Sequence, residues 1–268
     1  MKYIVVTDLD GTLLDHQTYD YAPALNAIAE LGKREIPIIL NSSKTQAEIS
    51  ALRQQLGNRE PFVCENGGII VGMGEVKHLG TPREQFLPNL RSLKEKLQLQ
   101  YQGFAEATVD DVVQWTGLSP DNAQKAMARS ATEPLLWQDT DSALEKLLQK
   151  LQELNLQCVK GGRFHHVMGI FNKASCFVQL KEYYAQSQSE EVKIIALGDS
   201  PNDLPMLEQA DYAIVVPSGK GETLHLDRDF VYYATQPAPH GWQEGISEFL
   251  TNNQQSTINK LYRQTHYN

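Results

Sequence analysis

The residues best suited to chemistry in this sequence are Asp8 and Asp10, in the stretch Tyr3-Ile-Val-Val-Thr-Asp-Leu-Asp-Gly-Thr-Leu-Leu14. The β-branched run Ile4-Val5-Val6 reads as a buried strand that stops at polar residues. Residues two apart in extended chain point the same way, so both acids can face one pocket. Gly11 lets the backbone turn sharply behind them. Two such close carboxylates repel unless a cation or a shared proton pairs with them. Mg²⁺ suits the pair, since it takes oxygen ligands and keeps several waters. For these residues alone, a polar turn after a strand is the other reading.

Two more loops carry polar residues of the same kind. Ser42, in Asn41-Ser-Ser-Lys44, lies between a strand and a helix, where a hydroxyl and free N–H groups can hold phosphate. A simple helix N-cap is its alternative. Asp199 and Asp203 lie in Gly198-Asp-Ser-Pro-Asn-Asp203, again after an apolar strand, and four acids at two strand ends exceed what turns require. Lys173 is placed at the opening of a helix, where a cation opposes the macrodipole and an anionic partner is expected.

The elements that must position these residues follow from periodicity. Tyr21 to Lys33 has helical spacing with Gly32 as its end, Ile36 to Leu40 is a buried strand, and Thr45 to Leu56 is a helix stopped by Gly57. With Phe62-Val-Cys64 as a third strand, the alternation predicts a parallel α/β sheet. The pattern then changes. Ile69–Val71 and Val76–His78 form a hairpin, Phe86–Leu97, Ala123–Ser130 and Ser142–Leu154 are helices, and Leu135–Trp137, Cys158–Lys160 and His165–Met168 are strands. Parallel-sheet patterning resumes with a helix over Lys173–Ala185 and strands at Lys193–Leu197, Tyr212–Val216 and Phe230–Tyr233, interrupted by the short helix Leu204–Gln209. Gly245–Leu250 is a closing helix, followed by a polar tail. The expected fold is α/β: a Rossmann-like parallel-sheet core, residues 1–81 and 169–268, with an inserted α+β cap, residues 82–168.

In this order the strings resemble the four signatures of the haloacid dehalogenase superfamily of phosphotransferases. Asp8-Leu-Asp-Gly-Thr12 resembles the first, Ser42 the second and Lys173 the third, while Gly198 to Asp203 matches Gly-Asp-x-x-Asn-Asp. The resemblance implies that Asp8 attacks phosphorus and that Asp10 is general acid and base. It also implies Mg²⁺ held by the Asp8 and Asp199 carboxylates and the Asp10 carbonyl. Asn202 and Asp203 would support the site from nearby, and Ser42 and Lys173 would stabilise the phosphoryl oxygens.

Further strings resemble the mannosyl-3-phosphoglycerate phosphatase family: Asn41 to Glu48, Pro61 to Gly68, Ala131 to Leu135, Gly161 to Gly169, and Val216 to Gly221. Ser42 and Lys44 stand where many relatives have Thr and Arg. The implied substrate is a small phosphorylated sugar-glycerate, released as mannosylglycerate and phosphate. Candidate substrate-binding residues are Thr12, Ser43, Lys44, Glu65, Asn66, Gly67, Glu133, Arg163 and His166. Arg163 or Lys44 can meet a carboxylate, and Glu65, Asn66, Glu133 and His166 can meet sugar hydroxyls. Gly67-Gly68 and Gly161-Gly162 allow close backbone approach, although Gly161-Gly162 also reads as a hairpin turn. Glucosyl-3-phosphoglycerate or sucrose-6-phosphate phosphatase and a phosphomannomutase are alternatives on the same fold. A non-catalytic phosphosugar-binding regulator is the alternative of another class.

Composition narrows the field. The 268 residues are 41% hydrophobic and 21% charged, and the net charge is −9. This acidity argues against a nucleic-acid binder, which needs a basic face. Apolar runs such as Ile36 to Leu40 are too short to cross a membrane. The N-terminus carries no apolar signal pattern, so the expected location is cytoplasmic. Cys64, Cys158 and Cys176 are far apart and odd in number, as buried thiols would be. The sequence leaves the oligomeric state open.

Overall fold

The computed structural model describes residues 2–185, 190–218 and 224–252. Residues Gly219–Gly221 of the fifth family-like string, the Gln186–Ser189 patch and the polar tail beyond 252 lie outside them. The chain forms two units, Met1–Ile38 with Ala185–Asn268, and Ile39–Tyr184.

Along the chain, β1 (Lys2–Thr7) leads through a 3₁₀ turn at Ala22–Ala24 to α1 (Leu25–Lys33), β2 (Ile38–Leu40) and α2 (Gln46–Leu56). Next come β3 (Phe62–Cys64), β4 (Ile69–Val71), β5 (Lys77–His78), α3 (Arg83–Leu97) and β6 (Tyr101–Gly103). They are followed by α4 (Val109–Thr116), α5 (Pro120–Met127), β7 (Thr132–Trp137), α6 (Asp141–Glu153), β8 (Leu156–Gly161) and β9 (Phe164–Gly169). The chain continues through α7 (Phe177–Tyr184), β10 (Val192–Gly198), α8 (Leu204–Gln209), β11 (Tyr212–Val215) and β12 (Val231–Tyr233). Residues 240–252 are helical. Gly32 lies inside α1 rather than at its end, which falls at Arg34.

In the first unit β12, β11, β10 and β1 lie side by side, all parallel, with Lys2 opposite Val192 and Thr7 opposite Leu197. The fifth strand, β2, begins at Ile38, the last residue of this unit, and Val5 N–H donates to the Pro37 carbonyl at 2.9 Å. Ile4, Val5, Val6, Ile194, Ile195 and Ile214 are fully buried, as β-branched runs in a sheet covered on both faces should be. Trp242, on the helix 240–252, is buried and donates its indole N–H to Thr7 Oγ1 at 3.0 Å.

The second unit differs from a continued parallel sheet. β3 joins an antiparallel sheet, β3-β4-β5, and touches Asn41 only through an isolated parallel bridge to Val63. The cause is local: Glu65, Asn66 and Gly67 have φ of 52°, 61° and 94°, and this left-handed turn reverses the chain directly after Cys64. Two consecutive non-glycine residues there cost about 1–2 kcal/mol each. A four-stranded antiparallel sheet follows in the order β6-β7-β9-β8. Phe86 and Leu90 of α3 and Leu147 and Leu151 of α6 bury Tyr101, Leu135, Leu156 and Val167 of that sheet. A smaller cluster gathers Phe104 with Val112 of α4 and Ala123 and Ala126 of α5. The parallel α/β core and the antiparallel α+β region both agree with the sequence expectation.

Candidate functional site

Strand register brings the acids of the first unit together. Thr7 is opposite Leu197 in adjacent parallel strands, so the residues just past both carboxyl ends are neighbours. That is where open α/β sheets place ligands. Asp8, Asp199 and Asp203 are buried, and each offers an oxygen within 4.8 Å of the others. Asp10 is not part of this group.

The loop around the cluster is tightly specified. Gly11 N–H donates to the Leu14 carbonyl, and Leu14 N–H to that of Leu9. Gly11 has φ +86°, and a Cβ there would fall 2.7 Å from Asp199 Oδ2, so only glycine fits. The turn places Thr12 Oγ1 2.8 Å from Asp199 Oδ1, to which it donates. Thr7 Oγ1 donates to the Asp8 carbonyl at 2.8 Å, linking Trp242 through Thr7 to the backbone of Asp8. On the other loop, Asp203 Oδ2 accepts from the N–H groups of Asp199 and Ser200, each at 3.1 Å, and from Ser200 Oγ at 3.2 Å. Asn202 Oδ1 takes a 2.6 Å bond from the same hydroxyl. Gly198 packs so near Asp203 that a Cβ would lie 2.5 Å from that of the aspartate.

The donor set fits a hard cation. Asp8 and Asp199 bring carboxylates together out of water, and a cation of oxygen preference would relieve the repulsion between them.

In the second unit, Ser42 is fully buried, but its backbone is committed. Its N–H donates to the Val63 carbonyl and its carbonyl accepts from Asn66 N–H. It is not the helix cap. Thr45 caps α2 in a reciprocal box with Glu48. Ser42 Oγ accepts from Lys44 N–H at 3.2 Å, and the Ser43 carbonyl accepts from Arg129 Nη1 at 3.2 Å.

Lys173 departs from the sequence expectation. It does not open a helix: it lies in a turn, and α7 begins at Phe177. Asn172 builds that turn by accepting from Ala174 N–H on Oδ1 and donating its own N–H to Ser175 Oγ. Lys173 is buried, and its carbonyl accepts from Asn41 Nδ2 at 2.7 Å. A buried ammonium is far more demanding of acceptors than a solvated one.

The expected substrate contacts divide into two sets. Glu65 Oε1 accepts from Ser130 N–H at 2.8 Å, and Oε2 from Ala131 N–H, Thr132 N–H and Thr132 Oγ1 at 3.0, 2.7 and 2.8 Å. Glu133 is ion-paired with Arg83, accepts from Arg83 Nε at 2.6 Å, and takes Ala105 N–H at 2.8 Å. Burial raises its carboxyl above the ordinary value, with Arg83 pulling it back. Both acids therefore spend oxygens on the protein itself. The glycines behave alike: a Cβ on Gly67 would lie 2.0 Å from the Asn172 carbonyl oxygen, and one on Gly68 would strike Ala131 and Phe171. Their close approach is to chain.

His166 is buried, and its Nδ1 has no hydrogen-bond partner among the described residues. Burial, then Arg129 and His165, lower its pKa to about 3. Arg163 is exposed in the turn between β8 and β9, where Gly162 has φ +55°, so Gly161-Gly162 serves the hairpin. Arg83 and Arg129 are missed by sequence reading, because their partners lie 50 and 86 residues away.

The solved structures similar to this chain share its fold. A phosphatase of the haloacid dehalogenase superfamily from Bacteroides thetaiotaomicron is 17% identical with a TM-score of 0.67, covering 93% of this chain and 95% of its own. The sucrose-phosphatase of Synechocystis sp., solved with sucrose and phosphate, is 17% identical with a TM-score of 0.62, covering 93% and 98%. A Thermoplasma acidophilum protein is 19% identical with a TM-score of 0.67, covering 93% and 98%. No helix among the described residues is long and apolar enough to cross a membrane. A family model described as haloacid dehalogenase-like hydrolase matches residues 5–226, and the chain belongs to that family.

Proposed function

We propose that this chain is a Mg²⁺-dependent phosphatase that hydrolyses mannosyl-3-phosphoglycerate to mannosylglycerate and phosphate. The observation that carries the phosphatase reading is the buried group of Asp8, Asp199 and Asp203 at the carboxyl ends of β1 and β10. The substrate rests on the sequence strings, with support from the sucrose-phosphatase among the similar folds.

The Asp8 and Asp199 carboxylates and the Asp10 carbonyl would hold Mg²⁺, with Asp203 fixing the Asp199 loop through its N–H bonds. When bound, the metal supplies charge neutralisation and Lewis acidity at the phosphate. An oxygen of Asp8 forms a bond to phosphorus while the ester P–O bond breaks, and Asp10 gives its proton to the departing alcohol. Asp10 then takes a proton from water as the water oxygen bonds phosphorus and the Asp8–phosphorus bond breaks. Thr12 keeps the Asp199 carboxylate in one orientation through its hydroxyl. Ser42 and Lys173, assigned to the phosphoryl oxygens by motif order, supply a hydroxyl and a positive charge. Residues 82–168 act as the cap that selects the ester, with Arg163 meeting the glycerate carboxylate.

The test is phosphate release with Mg²⁺ across mannosyl-3-phosphoglycerate, glucosyl-3-phosphoglycerate, sucrose-6-phosphate, mannose-6-phosphate and 3-phosphoglycerate. The expected result is a preference of at least about a hundredfold in kcat/KM for the first, some 2.7 kcal/mol. A flat profile removes the assigned substrate, and release from none of them removes the phosphatase.

A further inference from the structure

We propose that Glu65 is a positioning residue, the catch that fixes the start of β7 to the loop carrying Ser42. Its importance for turnover rests on the phosphatase reading; the catch itself does not.

Glu65 belongs to both sides of this junction. Its backbone N–H donates to the Lys44 carbonyl at 2.9 Å, and the next residue, Asn66, donates to the Ser42 carbonyl at 3.0 Å. Its side chain points the other way and gathers three successive N–H groups and one hydroxyl from Ser130 to Thr132. Bonds to an ionised carboxylate are about twice as strong as neutral ones, so one side chain holds the whole entry to the strand. Glu65 and Asn66 both adopt left-handed backbone, and Gly67 presses on the Asn172 carbonyl with no room for a Cβ. Strain of this kind persists only where the surroundings over-determine it.

Two further bonds span the same junction. Arg129 Nη1 donates to the Ser43 carbonyl and, at 2.9 Å, to Thr132 Oγ1, while Thr45 Oγ1 donates to the Lys125 carbonyl at 2.8 Å. On the far side, Arg83 N–H donates to the Ser130 carbonyl at 2.7 Å, tying the first residue of α3 to the same segment. The four-stranded sheet and the Ser42 loop are thereby held in one geometry, and Glu65 makes most of the bonds across the junction.

Amide hydrogen exchange separates the catch from a sugar contact. In Glu65→Gln, which cannot accept all four bonds, the amides of Ser130, Ala131 and Thr132 should exchange about tenfold faster or more. The Asn66 amide should follow, while those of β10 keep their rates. Thr132→Val, which removes only the hydroxyl, should give the same pattern at about threefold. Unchanged protection at Ser130–Thr132 in Glu65→Gln overturns the proposal; if that variant does not fold, Thr132→Val decides alone. With activity as readout, both variants should lower kcat/KM by one common factor for p-nitrophenyl phosphate and for the sugar ester, since both esters need the Ser42 loop. A loss confined to the sugar ester would make Glu65 a substrate ligand and overturn the catch. Should the wild-type protein hydrolyse no ester, the phosphatase reading falls and the exchange rates still judge the catch.

Discussion

Asp8, Asp199 and Asp203 on one side, and Glu65 and Glu133 on the other, are all buried carboxylates, yet they are buried on opposite terms. The glutamates are surrounded by donors: Glu65 accepts four bonds and Glu133 has Arg83 and Ala105. The aspartates have donors as well, Thr12 for Asp199 and two N–H groups and the Ser200 hydroxyl for Asp203, but they are also gathered against one another. A buried acid with its own donors has its oxygens committed to the fold, and little is left for a ligand. Acids buried together also repel one another, and a cation would relieve that repulsion. Burial alone thus says nothing about function; the partners do.

Removing a charge should therefore have opposite consequences in the two groups. The largest effect is on turnover: Asp8→Asn should lower kcat by at least about 10³-fold, near 4 kcal/mol, because an amide oxygen is a poor nucleophile toward phosphorus. Without Mg²⁺, its thermal midpoint should equal or exceed that of the wild type, since one like charge is gone. A fully active or strongly destabilised variant would break the contrast. Glu133→Gln should instead cost about 3 kcal/mol in denaturant unfolding, because it strands the guanidinium of Arg83. The Arg83 side chain is only 12% exposed. An unchanged midpoint would show that Glu133 belongs with the aspartates.

The same contrast explains what could be read from sequence. The aspartates were legible because their positions are set locally: an apolar run ends, an acid follows, and parallel register does the rest. Helix boundaries were legible at Thr45 and Gly57, where caps are present, whereas the helix expected over Ala123–Ser130 starts three residues earlier, at Pro120 behind the Ser119 cap. Thr108 and Asp111 form an equally good capping box before α4, with Gly117 behind it, but that helix is only eight residues long, too short for periodicity to be decisive. β6 is only three residues long and its buried positions alternate with one exposed residue, too little for periodicity to detect. The roles of Glu65 and Glu133 were not legible at all. A glutamate's partner decides its role, and here the partners lie 28 to 67 residues away. The apolar spacing of α7 extends backwards into the turn that Asn172 and Ser175 impose, so spacing alone predicts a helix start at Lys173.

A cation should stabilise the aspartate group and leave the glutamates indifferent. Mg²⁺ at about a hundred times its dissociation constant adds about 2.7 kcal/mol to a protein that binds it only when folded. The thermal midpoint of the wild type should rise accordingly, and EDTA should reverse the rise. Asp199→Asn should lose most of the shift, whereas Glu133→Gln should keep it. An equal shift in Asp199→Asn would place the cation elsewhere.

The smallest effect comes from a buried base rather than a buried acid. His166 is held neutral by its surroundings, with a pKa near 3 against the usual 6.5. The unfolded chain therefore binds a proton below pH 6.5 that the folded chain refuses until about pH 3. Stability supplied by the neutral ring is complete above 6.5 and is lost as pH falls toward 3, with a slope approaching 1.4 kcal/mol per pH unit. Thermal midpoints between pH 7.5 and 5.5 should fall in the wild type and fall less steeply in His166→Asn. His165 is shifted in the same direction by burial and Lys160, but it is more exposed, so His165→Asn should flatten the profile less. Identical slopes in wild type and His166→Asn would mean that the imidazole takes up its proton in the folded state, and that the β9 face around it is wetter than its burial implies.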